Sequence, residues 1–180
     1  SGRWYRGPAL NGPWTYVAST NLPADFRRIP AASPAGIVLV AVAGTPQAQE
    51  AAITNSIPQT ATVPRVNGPT FTPTFDGTPQ FQPIDGTPLQ YAGNSPVPVI
   101  RVDASTYYAI QAGVWFYATT LAGPWYVAPA VPAAIYAIPV TSPLHYVTYA
   151  RVYGSTAQVV YVGYTPGYLG TVVTSDGVVV

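Results

Sequence analysis

The side chains able to carry reactions are few in this sequence, and their types and spacing argue against a catalytic centre. There are six acids (Asp25, Glu50, Asp76, Asp85, Asp103 and Asp176), seven arginines and one histidine, His145, with no lysine, cysteine or methionine. A glycosidase needs two carboxylates facing each other across one bond. Asp76 and Asp85 are the pair set in matching surroundings, Phe75-Asp76-Gly77-Thr78-Pro79 and Ile84-Asp85-Gly86-Thr87-Pro88. Asp before Gly is turn chemistry, so these acids read as turn formers rather than as an acid pair or cation ligands. Asp176 also precedes Gly, and Asp103 falls in a hairpin loop. A single histidine cannot build a His-rich metal site, and no Gly-x-Ser-x-Gly elbow accompanies it. The expectation is a non-enzyme: catalytic residues none, cofactors none, metal none.

The aromatic residues carry more information. Trp4-Tyr5, Leu10, Gly12-Pro13-Trp14, Tyr16-Val17-Ala18, Pro23-Ala24, Ile29-Pro30 and Ser33-Pro34 recur in order as Trp115-Phe116, Leu121, Gly123-Pro124-Trp125, Tyr126-Val127-Ala128, Pro132-Ala133, Ile138-Pro139 and Ser142-Pro143. The offset drifts from 111 to 109, as two single-residue deletions require. This is an internal repeat, and it contains every tryptophan of the chain. Trp4, Trp14, Trp115, Trp125 and Tyr126, with Tyr5, Phe116 and Tyr117, form a candidate ligand platform on which sugar rings stack. The competing account is packing, because a Gly-Pro-Trp beside a tight turn is where a core needs one large side chain. Strand alternation places Trp115 and Tyr117 opposite to Phe116.

The elements that position these residues are short. Val97 to Val102, Tyr107 to Gln111, Val114 to Thr119 and Trp125 to Ala128 read as four antiparallel strands joined by tight turns. The first copy retains the last two, Trp4 to Arg6 and Trp14 to Ala18. Further strand candidates are Ile37 to Val42, Tyr146 to Tyr153, Val159 to Tyr164, Gly170 to Thr174 and Val178 to Val180. Thr45-Pro46 opens one short helix, about 46–54, with Thr as N-cap and Pro at the first helical position. The fold class expected is all-β, made of short antiparallel meanders that resemble β-propeller blades or a sandwich. Residues 1–57 hold the incomplete first repeat and the helix, 58–88 a Pro-rich extended connection with two Asp-Gly corners that could stack, and 89–180 the second repeat with C-terminal strands. One compact structural unit is expected.

Composition narrows the partners. Charged residues are 7% of the chain, against roughly 25% in ordinary soluble domains, and the net charge is +1. Such a surface opposes association weakly. Seven dispersed arginines give no nucleic-acid footprint. The longest apolar run, Ile37 to Ala43, is too short for a membrane-spanning helix. Absence of Cys, Met and Lys leaves few oxidisable side chains, which suits an extracellular or cell-surface location. The sequence starts inside a repeat unit, from which a trimmed precursor is expected.

Gly113-Val114-Trp115-Phe116 leading to Gly123-Pro124-Trp125, with Gly163-Tyr164-Thr165-Pro166-Gly167-Tyr168 downstream, resembles segments of predicted secreted proteobacterial proteins rich in Tyr, Pro and Gly. The resemblance covers most of the chain, and some members of that group carry a carbohydrate-binding label. It implies a secreted bacterial protein and brings no catalytic residues.

The function expected is a non-enzymatic extracellular structural protein whose partner is itself, forming a homo-oligomer or filament by β-strand addition. The alternative is a carbohydrate-binding module with polysaccharide as partner. The first copy lacks the two strands that precede Trp115 in the second, so its sheet should have an open edge. The candidate assembly strand is the terminal segment, Thr171, Val172, Val173, Val178, Val179 and Val180, filling that edge within one molecule or on the next.

Overall fold

The computed structural model describes residues 2–180. The fold is all-β, with eleven strands in antiparallel sheets among the described residues. In chain order these are β1 (Trp4–Arg6), β2 (Thr15–Val17), β3 (Gln59–Pro64), β4 (Phe81–Pro83), β5 (Gln90–Ala92), β6 (Val99–Asp103), β7 (Thr106–Gln111), β8 (Val114–Ala118), β9 (Tyr126–Val127), β10 (Ala150–Ser155) and β11 (Val159–Tyr164). Helix α1 spans Pro46–Ser56, and α2 is a single turn at Ala133–Tyr136. The chain divides into two compact units, one of residues 2–57 with Gly170–Val180 and the other Pro58–Leu169.

The second unit is sandwich-like and built on the predicted meander. Strands β4 to β9 form a six-stranded sheet in sequence order, and β10, β11 and β3 form a three-stranded one. Period-two alternation sends Ala109, Phe116 and Val127 to one face, where they pack with Val63, Val160 and Val162 of the smaller sheet. Ile100, Ile110 and Trp115 point the other way, against Ile135, Ile138, Leu144 and Val147 of the segment after β9. The large sheet is therefore covered on both faces, which explains why its central strands read as nearly continuous apolar runs. Each fully buried aliphatic side chain there contributes about 1.5–3 kcal/mol.

The first unit holds the hairpin β1–β2, several 3-10 turns and α1. Thr45 starts the helix as expected. Its Oγ1 accepts from Ala48 N at 3.1 Å and lies 2.7 Å from the Leu39 carbonyl oxygen, fixing the entry to the helix. Helix α1 continues two residues past the expected end, through Asn55, whose side-chain amide donates to Thr171 O at 3.3 Å.

Several elements differ from expectation. Ile37 to Val42 is not a strand but lies largely in a 3-10 helix, Pro34–Ala41, and Tyr146 to Tyr149 lies in another, His145–Tyr149, before β10 begins. Burial of Gly36, Leu39 and Val42, and of Leu144, Val147 and Ala150, follows the three-residue period of such a helix. An unbroken apolar run hid that period in Ile37 to Val42. The two Asp-Gly corners do not stack, because β4 separates them. Asp85-Gly86 turns β4 into β5, with Ile84 N donating to Leu89 O at 2.9 Å. The Asp76 corner is tied instead to Asn94, whose side-chain amide donates to the carbonyl oxygens of Asp76 and Thr78. The segment expected to be an extended connection thus contributes β3 and β4 to the second unit.

Candidate functional site

The repeat survives as a three-dimensional module, which decides what each tryptophan does. In the first unit, Trp4 Nε1 donates to Ala41 O at 2.6 Å and the indole meets Phe26 edge-on, ring centroids 5.1 Å apart. In the second, Trp115 Nε1 donates to Ala150 O at 2.9 Å, and the ring packs in a cluster that includes Ile135. Phe26 and Ile135 are equivalent positions, as are Ala41 and Ala150. The hairpin loops match as well. Gly12 and Gly123 have φ of 81° and 90°, and each precedes a cis proline. A Cβ at either glycine would come within 3.0 Å of Cδ1 of the following Trp14 or Trp125. Glycine is needed there for both its left-handed backbone and its missing side chain.

Of the five candidate platform residues, three are packed inward. Trp115 is 0% exposed, and Trp125 is 9% exposed with its N–H on Leu121 O and its ring edge-on to Phe71 at 5.1 Å. Trp4 is half-buried through its bond to Ala41. Only Trp14 and Tyr126 keep open surface, 53% and 54% exposed. Trp115 and Trp125 have no free face for a sugar ring, because the repeat uses them as core.

Two ladders of tyrosines lie across strands. Tyr126, Tyr117 and Tyr108 stand side by side on β9, β8 and β7, with centroids 6.0 and 6.3 Å apart. On the first hairpin, Tyr16 and Tyr5 are 6.1 Å apart and each is 54% exposed. That second ladder stops at β1. The outer edge of β1 has no strand beside it among the described residues, whereas the equivalent edge of β8 is paired with β7 from Gln111↔Val114 to Tyr107↔Ala118. The expected open edge is present.

The terminal segment does not extend that edge. Val172 and Val180 exchange backbone hydrogen bonds at 3.0 and 2.9 Å, and Thr174 N donates to Val178 O, so residues 172–180 close a hairpin of their own. Of its six candidate assembly residues, Val173 and Val179 form an isolated bridge, Val178 is buried against Ala43 and Ala48, and Val180 packs on the same cluster. Thr171 gives its carbonyl to Asn55. Asp176 sits in the turn of this hairpin and accepts from Ser19 N at 2.9 Å. Hydrogen bonds from the Thr174 hydroxyl, and from the backbone including Ser19, hold its carboxyl below the usual value.

Other polar groups hold turns and covering segments in place, and some line clefts. Asp103 is held low by hydrogen bonds led by that from Ser105 N in its hairpin turn. His145 Nδ1 lies 2.7 Å from Ile138 O, in the segment covering the large sheet. Burial pushes the Tyr168 phenol up, partly offset by the Gly113 N–H that it accepts, so it stays protonated at neutral pH. No group of three or more His, Asp and Glu suited to a metal ion occurs among the described residues. Gln82, Asp85, Tyr91, Thr141 and Ser142 line a cleft of about 420 Å³ in the second unit. Sequence reasoning missed it, since Tyr91 and Ser142 are brought together only by the packing of the segment after β9 onto the sheet. The exposed pair Tyr153 and Tyr161 on the outer sheet was also missed, although period-two alternation around Val160 and Val162 marks Tyr161 as outward.

Comparison with known protein families, curated proteins and solved structures gives no match. No helix is long and apolar enough to cross a membrane among the described residues.

Proposed function

We propose that this chain is a non-catalytic structural protein of the cell surface or extracellular space that associates with itself. The observation that carries this proposal is the unpaired edge of β1, at the place where the equivalent strand β8 carries a neighbour. An open edge offers unsatisfied backbone donors and acceptors that a second strand completes. The charge-poor sequence and the exposed Tyr5, Trp14 and Tyr16 of this hairpin favour association. Sedimentation equilibrium of the full chain from micromolar to millimolar concentration tests it. The weight-average mass should rise with concentration; a constant 18.9 kDa would reject the proposal.

A second proposal, carbohydrate binding, is supported by the cleft at Tyr91 rather than by the tryptophans. An aromatic ring beside a carboxylate, an amide and two hydroxyls suits a neutral sugar, and the cleft volume lies within the range of small-ligand pockets. Polysaccharide retention that is lost in Tyr91→Ala but kept in Trp14→Ala would support it; retention by neither the parent nor Trp14→Ala would remove it.

A further inference from the structure

We propose that the open edge of β1 pairs with β1 of a second copy, antiparallel about a two-fold axis that places Tyr5 opposite its counterpart. This rests on the self-association proposed above and names the occupant and its register. The chain carries its own template for the contact. Strand β8, equivalent to β1, is flanked by β9 on one side and by antiparallel β7 on the other, and the tyrosine ladder runs on from β9 through β8 to β7 at 6.0 and 6.3 Å spacing. The first hairpin holds a tyrosine pair of similar spacing, Tyr16 and Tyr5 at 6.1 Å, with Tyr5 in the place of Phe116 rather than of Tyr117 and no strand beside it on the outer edge among the described residues. The Tyr5 of a second copy would lie beside this pair and extend it to a row of four tyrosines. The added residue Thr15 shifts the β1–β2 register by one relative to β8–β9, so this ladder lies on the face away from Trp4, where Tyr5 and Tyr16 are exposed.

Two competing occupants fit less well. The terminal segment is committed to its own hairpin through Val172, Thr174, Val178 and Val180. Head-to-tail addition, with β2 of the next copy on β1, would repeat the molecule every two strands, about 9.6 Å. A folded unit the size of the first has a radius of gyration of about 11 Å, so neighbours at that repeat would overlap. A two-fold pair places the bodies on opposite sides of the new contact and closes, giving a dimer rather than a filament. In the three-residue strand, centring on Tyr5 uses every position and sets Trp4 across from Arg6 of the second copy, an aromatic ring beside a guanidinium.

The absence of cysteine makes the test clean. Facing positions on antiparallel strands have Cα atoms about 4.5–5.5 Å apart, within disulfide range. In the full chain, Tyr5→Cys should form an intermolecular disulfide under mild oxidation. Tyr16→Cys should not, because three strand spacings, about 14 Å, separate it from its counterpart. Independently, Tyr5→Asp and Tyr5→Arg should each weaken dimerisation by roughly tenfold or more, and an equal mixture should recover it as opposite charges meet at the axis. Tyr5 is 54% exposed, so at concentrations where the parent is monomeric the variants should keep its circular dichroism and melting midpoint. If the parent dimerises but Tyr5→Cys cross-links no faster than Tyr16→Cys, or the mixture binds no better than either variant alone, the β1 pairing is wrong while self-association stands. A parent that stays monomeric at millimolar concentration overturns both.

Discussion

Trp4 donates its indole N–H to the carbonyl oxygen of Ala41, 37 residues further along the chain. The equivalent bond, Trp115 to Ala150, spans 35 residues. Two deletions between the copies therefore left the contact intact while shortening the path that reaches it. The duplicated object is a hairpin fastened by its tryptophan to the end of a 3-10 segment. Around the second copy further strands complete a sheet; around the first, the hairpin stands with β1 open.

Trp115→Phe should cost about 2–4 kcal/mol in urea unfolding, combining a buried carbonyl left without its donor with the volume lost. Trp4→Phe should cost less, about 1 kcal/mol, because the Ala41 carbonyl oxygen also accepts from Ser19 Oγ at 2.8 Å and keeps that partner when the indole N–H is removed.

Trp14→Ala and Trp125→Ala separate the two roles of the same motif. Trp125 sits 9% exposed against Phe71, and its truncation should cost about 3–5 kcal/mol. Trp14 is 53% exposed, and its truncation should change unfolding by about 0.5 kcal/mol or less. Equal losses at both sites would contradict the assigned packing.

Gly12→Ala and Gly123→Ala place a Cβ in the left-handed region and against an indole. Each should destabilise its hairpin by about 1–2 kcal/mol. Paired melting curves of the two variants would check whether the loops are equivalent in energy as well as in shape.

The Asp176 carboxyl is held below its ordinary value in the folded chain, so its contribution is present above the unfolded value of 3.8 and is lost as pH falls through the lower folded value. Amides of residues 172–180 should lose exchange protection below about pH 3.8, and Asp176→Asn should lack that step. An unchanged acid transition in Asp176→Asn would exclude the Ser19 contact as its source.

The sheet was legible in the sequence because its strands carry period-two alternation and their turns carry Gly or Asp-Ala-Ser signals, as in Tyr107 to Gln111 followed by Ala112-Gly113. The start of α1 was legible for the same kind of reason, a threonine cap and a proline at the first position. The two 3-10 segments were not, because Ile37 to Val42 is uniformly apolar and such a run has no visible period. Trp14 and Trp125 occupy the same place in the repeat, and nothing in the sequence signals that Phe71 stands across from Trp125 alone. The open edge of β1 followed from comparing the copies, but the terminal valines gave no sign that they would pair with each other.

Hydrogen exchange at β1, followed against protein concentration, tests the central claim most directly. The account predicts that those backbone amides of residues 4–6 that point away from β2 gain protection as concentration rises, while amides of β8, paired on both sides, are protected throughout. Association accompanied by unchanged exchange in β1 would contradict it.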